Sequence, residues 1–172
     1  MTQQQLIKNL QVPQGIVDVV LDTDAYNEID DQFAIAYMLL SPERLRVKQL
    51  YAAPFHNKKS TSPEDGMERS YNEILKVLDL AGRGELKEQT YRGSRTYLPS
   101  ETEPVESPAA RALVELSKNY SADNPQYIID QRNEDAHLQC AQKKFIFTRH
   151  FFYRKSLVNR DSFLCPIPDT SE

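Results

Sequence analysis

Five carboxylates fall within ten residues of this chain: Asp22, Asp24, Glu28, Asp30 and Asp31. They stand between two apolar runs, residues 16–21 before them and residues 33–40 after them. Like charges this close repel, and holding them between two buried elements costs free energy unless a cation neutralises them. A metal ion is the simplest such cation. The donors are hard oxygens, with Asn57 as an amide candidate on a later loop and no His or Cys among them, so calcium fits best and magnesium less well. Water beside such an ion becomes more acidic, and a neighbouring carboxylate can take its proton to give a hydroxide nucleophile. Spare carboxylates can accept charge-assisted hydrogen bonds from sugar hydroxyls.

The flanking elements decide whether these acids meet. Residues 16–21 are mostly β-branched or aliphatic, the pattern of a strand buried on both faces, and residues 33–40 carry no charged side chain, the pattern of a buried helix. Residues 22–29 then form the loop between them, and the helix starts near Asp30. Acids in a first helical turn are favoured by the helix dipole and by free backbone N–H groups, which accounts locally for Asp30 and Asp31. It does not account for Asp22 and Asp24, which end a strand.

Residues 47–53 read as a second strand running into a polar loop at Pro54, Phe55, His56 and Asn57. Ser62, Pro63 and Asp65 read as a capped helix start, with Met67, Tyr71, Ile74, Leu75 and Leu78 on the inner face and Gly82 as the stop. Residues 90–93 are a short third strand. Residues 94–107, with Pro99 and Pro104, are a long exposed loop and a candidate lid. Ser107 and Pro108 open another helix with Ala109, Ala112, Leu113 and Leu116 inward, and Tyr127, Ile128 and Ile129 begin the next strand. This alternation predicts an α/β fold, a Rossmann-like open parallel sheet with flanking helices. Ligands on such sheets bind at the carboxyl ends of the strands, where Asp22, Asp24, Asp30, Asp31 and Asn57 converge.

The chain's 172 residues suffice for one domain with a sizeable core, and the net charge of −4 gives no reason to expect nucleic acid or an anionic membrane as a partner. The sequence shows no membrane-length apolar run and no secretory signal, so the expected compartment is the cytoplasm. Cys140 and Cys165 are too far apart for a CxxC motif and read as ordinary thiols. Composition changes along the chain. All five glycines lie at or before Gly93, whereas five of the seven phenylalanines lie after residue 129. Three parts follow: an arm over residues 1–14, a domain over 15–129, and a divergent tail over 130–172.

Two motif rivals fail on particular residues. An EF-hand loop starting at Asp22 needs glycine at Asn27 and glutamate at Phe33. A phosphatase of the haloacid dehalogenase type shares the strand and DxD, but has Thr or Val where Tyr26 stands and does not need Asp30 and Asp31. The stretch LDTDAYNEIDDQFAIAYML instead resembles the amino-terminal signature of the inosine-uridine type nucleoside hydrolases, with two extra residues between DxD and DD. The YAAPFHN stretch, Ser70-Tyr71-Asn72, Tyr91-Arg92-Gly93-Ser94 and NPQYII at 124–129 follow that family's order of elements.

The resemblance, over residues 15–129, implies hydrolysis of the N-glycosidic bond of a ribonucleoside to ribose and free base. It implies Asp24 as calcium ligand and general base, Asp31 as a further calcium ligand, Asp30 and Asn57 as ribose ligands, and Asp22 as a support of the loop. It also implies a homo-oligomer. Family members are nearly twice as long and their second half completes the calcium site. The chain is thus expected to be truncated relative to the family, and the tail is what a frameshifted or truncated reading of a longer gene would give. The alternative to an active hydrolase is therefore an inactive fragment with weak metal binding. His137 and His150 stand in that tail and read as incidental, as do the interleaved basic and aromatic residues around them.

Overall fold

The computed structural model describes residues 12–100, 103–121 and 124–131, and residues 151–154 as backbone. Five strands form one all-parallel sheet: β1 (Val17–Thr23), β2 (Leu45–Ala52), β3 (Thr90–Arg92), β4 (Tyr127–Gln131) and β5 (Phe151–Arg154). Their order is β3-β2-β1-β4-β5. The helices are α1 (Ile29–Leu39), α2 (Pro63–Leu80) and α3 (Pro108–Ser117), with a 3-10 turn at Gly84–Gln89. The expected open parallel sheet with flanking helices is the observed fold. Among the described residues no helix is long and apolar enough to cross a membrane.

Alternation along β1 divides the core. Val19 and Leu21 point to the face covered by α1 and α2, where Ile35, Met38, Leu39, Met67, Ile74 and Leu78 are buried with them. Val20 points to the other face and packs with Tyr51, Ile128 and the α3 residues Ala109 and Leu113. Both faces of β1 are covered, which is why its sequence is a continuous apolar run. The strand extends past the expected residues 16–21 and takes in Asp22 and Thr23.

The connections through α1 and α2 carry the chain from β1 to β2 to β3, whereas the one through α3 returns it to the opposite side of β1. The order therefore reverses between β1 and β4. Connections that diverge at such a point leave a crevice at the carboxyl ends of the two strands. Asp22 and Asp130, and then Thr23 and Gln131, are paired across it.

Two local features fix the loop after β2. Ser62 accepts a hydrogen bond from the Asp65 backbone N–H at 3.1 Å, and Asp65 Oδ2 accepts one from the Thr61 N–H at 2.9 Å, so the first turn of α2 is closed as expected. A Cβ at Gly66 would lie 1.9 Å from the Phe55 carbonyl oxygen. Only glycine lets α2 begin so close to that loop. Gly82, at φ +67°, ends the same helix.

One expectation needs correcting. Residues 33–40 are not buried all round: Ile29 and Phe33 are 69% exposed and Tyr37 and Leu40 are 72% exposed. A helix lying on one sheet buries only the stripe toward that sheet, and no described residue forms a layer above the outward stripe of α1. Of the residues read as a divergent tail, Asp130 and Gln131 complete β4 and Phe151–Arg154 form β5, parallel to β4. The remainder of residues 130–172, with His137, Cys140, His150 and Cys165, lies outside the described residues, as does most of the arm over 1–14.

Candidate active site

Asp24 is the first residue beyond β1 and is buried, at 2% exposure. Its carbonyl accepts the Asn27 N–H at 2.6 Å, which turns the chain sharply, and its Oδ2 accepts from Asn27 Nδ2 at 3.0 Å. Asn27 is itself buried and passes the connection on: its Oδ1 accepts from Asn57 Nδ2, and its carbonyl accepts from Lys59 Nζ. Asn57 is held in turn, its Oδ1 accepting the Lys59 N–H at 2.8 Å and its own N–H donating to Ser60 Oγ at 3.2 Å. The carboxylate after β1 and the amide after β2 are thus joined through one intervening side chain. The loop is also tethered outward, where the Arg69 guanidinium stands over the Tyr26 ring at 5.7 Å.

Asp31 lies in the first turn of α1 and is 4% exposed. Its Oδ1 accepts from Thr23 Oγ1. Removal from water pushes its carboxyl up to about 8, against the Thr23 hydrogen bond, and the charges of Asp24, Asp30 and Glu28 push the same way. Asp30 is exposed in the same turn, and Asp22 is buried within β1, on the opposite sheet face from Thr23. Asp24, Asn57 and Asp31 are therefore assembled at one edge, Asp30 stands at the outer rim, and Asp22 lies beneath.

Four residues outside the carboxylate cluster join them. Thr23 and Asn27 orient the two buried carboxylates. Tyr97, from the loop over residues 94–107, hydrogen-bonds the His56 backbone, and its hydroxyl is held above the ordinary value first by burial and then by the nearby charge of Asp24. The candidate lid thereby reaches the edge of the site. Gln131 is the fourth: it pairs with Thr23 on the same sheet face, and its Oε1 is buried with no hydrogen-bond partner among the described residues.

Among the described residues no group of three or more His, Cys, Asp or Glu side chains is arranged to hold a metal. Asp24 and Asp31 nonetheless are buried, hard-oxygen donors whose charges oppose one another, and the unsatisfied Gln131 oxygen is of the same donor class. The chemistry of the donors fits a hard divalent cation, and their number supplies part of its six to eight oxygens. No family model matches the chain, and no curated protein matches it.

Proposed function

We propose that this chain is a calcium-dependent ribonucleoside hydrolase of the inosine-uridine type, acting in the cytoplasm at the carboxyl edge of β1. The observation that carries the reading is Asp31, a carboxyl pushed up to about 8 between Thr23 and the charge of Asp24 in a crevice where the strand order reverses. A protein folds around such an acid at a cost in stability, which a bound cation offsets. Position, sequence signature and donor chemistry agree on one site.

In this reading Asp24 and Asp31 would hold calcium, which when bound would supply positive charge that makes a neighbouring water more acidic. Asn27 keeps the Asp24 carboxylate in one orientation, so that Asp24 accepts the proton of the attacking water. Asn57, fixed by Asn27 and Ser60, and Asp30 at the rim hydrogen-bond the ribose hydroxyls. As the glycosidic bond to the base breaks, positive charge grows on the sugar, and the acidic edge favours that charge. Tyr97 at the edge helps to exclude water.

The pair of carboxylates, without a third among the described residues, favours one other reading: a non-catalytic sheet that binds the cation weakly. Sugar release from inosine and uridine with calcium, run beside calcium titration calorimetry, separates the two. Turnover that Asp24→Ala abolishes supports the hydrolase. Calcium binding without turnover at high protein concentration leaves the second reading, and absence of both overturns both.

A further inference from the structure

Cations around α2 pair with its carboxylates: Arg69 with Asp65, Arg92 with Glu68, Arg95 with Glu64 and Lys76 with Glu73. Lys59, on the loop that leads into α2, donates its Nζ to a main-chain oxygen instead, the Asn27 carbonyl, 32 residues earlier in the loop that carries the acids. We propose that Lys59 is a positioning residue: its ammonium fixes the Asn27 peptide, and Asn27 in turn holds the Asp24 carboxylate in one orientation.

The hydrogen bonds form a chain from one loop to the other. Asn57 opens a tight turn, its Oδ1 accepting the Lys59 N–H at 2.8 Å and its carbonyl the Ser60 N–H at 3.1 Å, and the turn brings Lys59 to the β1 loop. There the ammonium gives the Asn27 carbonyl a charge-assisted hydrogen bond, one of the stronger kinds. Asn27 is buried and grips Asp24 at two atoms, its N–H on the carbonyl and its Nδ2 on Oδ2. The peptide that Lys59 holds also leads into Glu28, the cap position of α1, which makes no side-chain cap, so the entry to α1 is held from outside the helix. The two parts of Lys59 serve different partners: its main-chain N–H holds Asn57, and its Nζ holds Asn27. A side-chain substitution therefore removes the second bond and leaves the first.

The hold on Asp24 stands without the hydrolase reading, whereas its consequence for turnover rests on that reading. Lys59→Met keeps the apolar stem and removes the ammonium, Lys59→Arg keeps a cationic donor, and Lys58→Met removes the same charge from the exposed neighbouring residue. In nitrogen–proton correlation spectra of the metal-free full chain, the Asn27 Nδ2 resonances should move in Lys59→Met and stay in place in Lys58→Met. With inosine and calcium, Lys59→Met should lower kcat roughly 10–100-fold, because the base loses its orientation. KM should change far less, because Asn57 keeps its own tether. Calcium affinity by titration calorimetry should fall about tenfold in Lys59→Met and return in Lys59→Arg. A Lys59 that acted only through its charge would repel the ion, so its loss would raise the affinity instead. Unmoved Asn27 resonances, a higher calcium affinity, or an equal effect of Lys58→Met overturns the proposal. A wild-type chain with neither turnover nor calcium binding, whose Asn27 resonances still respond to Lys59→Met, overturns the hydrolase reading and supports the hold on Asp24. Far-UV circular dichroism checks that each variant is folded, and Lys59→Gln serves if Lys59→Met is not.

Discussion

The amino ends of α1 and α2 hold the same kind of residue under opposite conditions. Asp65, in the first turn of α2, is lowered by the Thr61 N–H and then by Arg69, and Ser62 closes the turn. Asp31, in the first turn of α1, is raised to about 8, and the cap position, Glu28, makes no side-chain cap. Both acids meet a helix dipole, so the dipole does not decide the outcome. Burial does, together with whether the neighbours are cationic or acidic. Asp65 is an acid that stabilises its helix, and Asp31 is an acid that its surroundings would keep protonated. This contrast separates a structural carboxylate from one set up for a ligand.

Replacing Asp31 tests the contrast with the largest effect. Asp31→Asn keeps an oxygen for Thr23 and removes the opposed charge. Calorimetry should show calcium affinity reduced ~100-fold or more, while the metal-free protein melts higher at pH 8, by roughly 5 °C or more. A variant that melts lower without calcium would show that the ionised carboxyl contributes to the fold instead of opposing it. The pH profile of the metal-free chain comes next. Since Asp31 is raised on folding, its contribution to stability is complete below the ordinary value of 3.8 and is lost as pH rises through about 8. Asp65 is lowered, so its contribution is present above 3.8 and is lost as pH falls through its lower folded value. Urea midpoints between pH 5 and 8 should therefore fall with rising pH in the wild type and flatten in Asp31→Asn, and saturating calcium should remove the slope.

Smaller effects probe the α2 side. Gly66→Ala drives a methyl group into the Phe55 carbonyl and should cost about 1–3 kcal/mol in urea unfolding. It should also raise KM more than it lowers kcat, because it shifts the loop that carries Asn57. The least effect is expected of Asp65→Asn, a slight lowering of the melting midpoint with no change in calcium binding. If Asp65→Asn and Asp31→Asn shift stability in the same direction, the two helix ends are not the opposites they appear from their surroundings.

Much of this arrangement was legible beforehand. The strand, the helices, the caps at Ser62 and Ser107 and the convergence of Asp24, Asp31 and Asn57 follow from periodicity and from acids placed at an element boundary. Asn27 was not legible, since an amide three residues after an acid is ordinary loop composition until the turn closes. Thr23 falls in the stretch that reads as loop, residues 22–29, and only the extension of β1 and the position of α1 give its hydroxyl a partner. Tyr97 reaches the site by the path of a loop that no period describes. The outward ridge of α1 misled in the other direction, because burial on both sides and burial on one side with an apolar outer face have the same pattern. The strand at Phe151–Arg154 is four residues long, too short to show alternation against its neighbours.

The strand order also has a consequence for how the molecule comes together. Strand β1 finds β2 after a single short helix, but its other neighbour arrives much later in the chain; the Asp18 carboxylate and the Tyr120 hydroxyl that meet at that junction are 102 residues apart. Closing so long a loop costs entropy before the contacts are gained, so the β1–β2–β3 half can consolidate early while the β1–β4 seam waits. The crevice lies on that seam. During synthesis its acids and Asn57 can be gathered by the early β1–β2 half, and Asp130 and Gln131 join them only once β4 has been made.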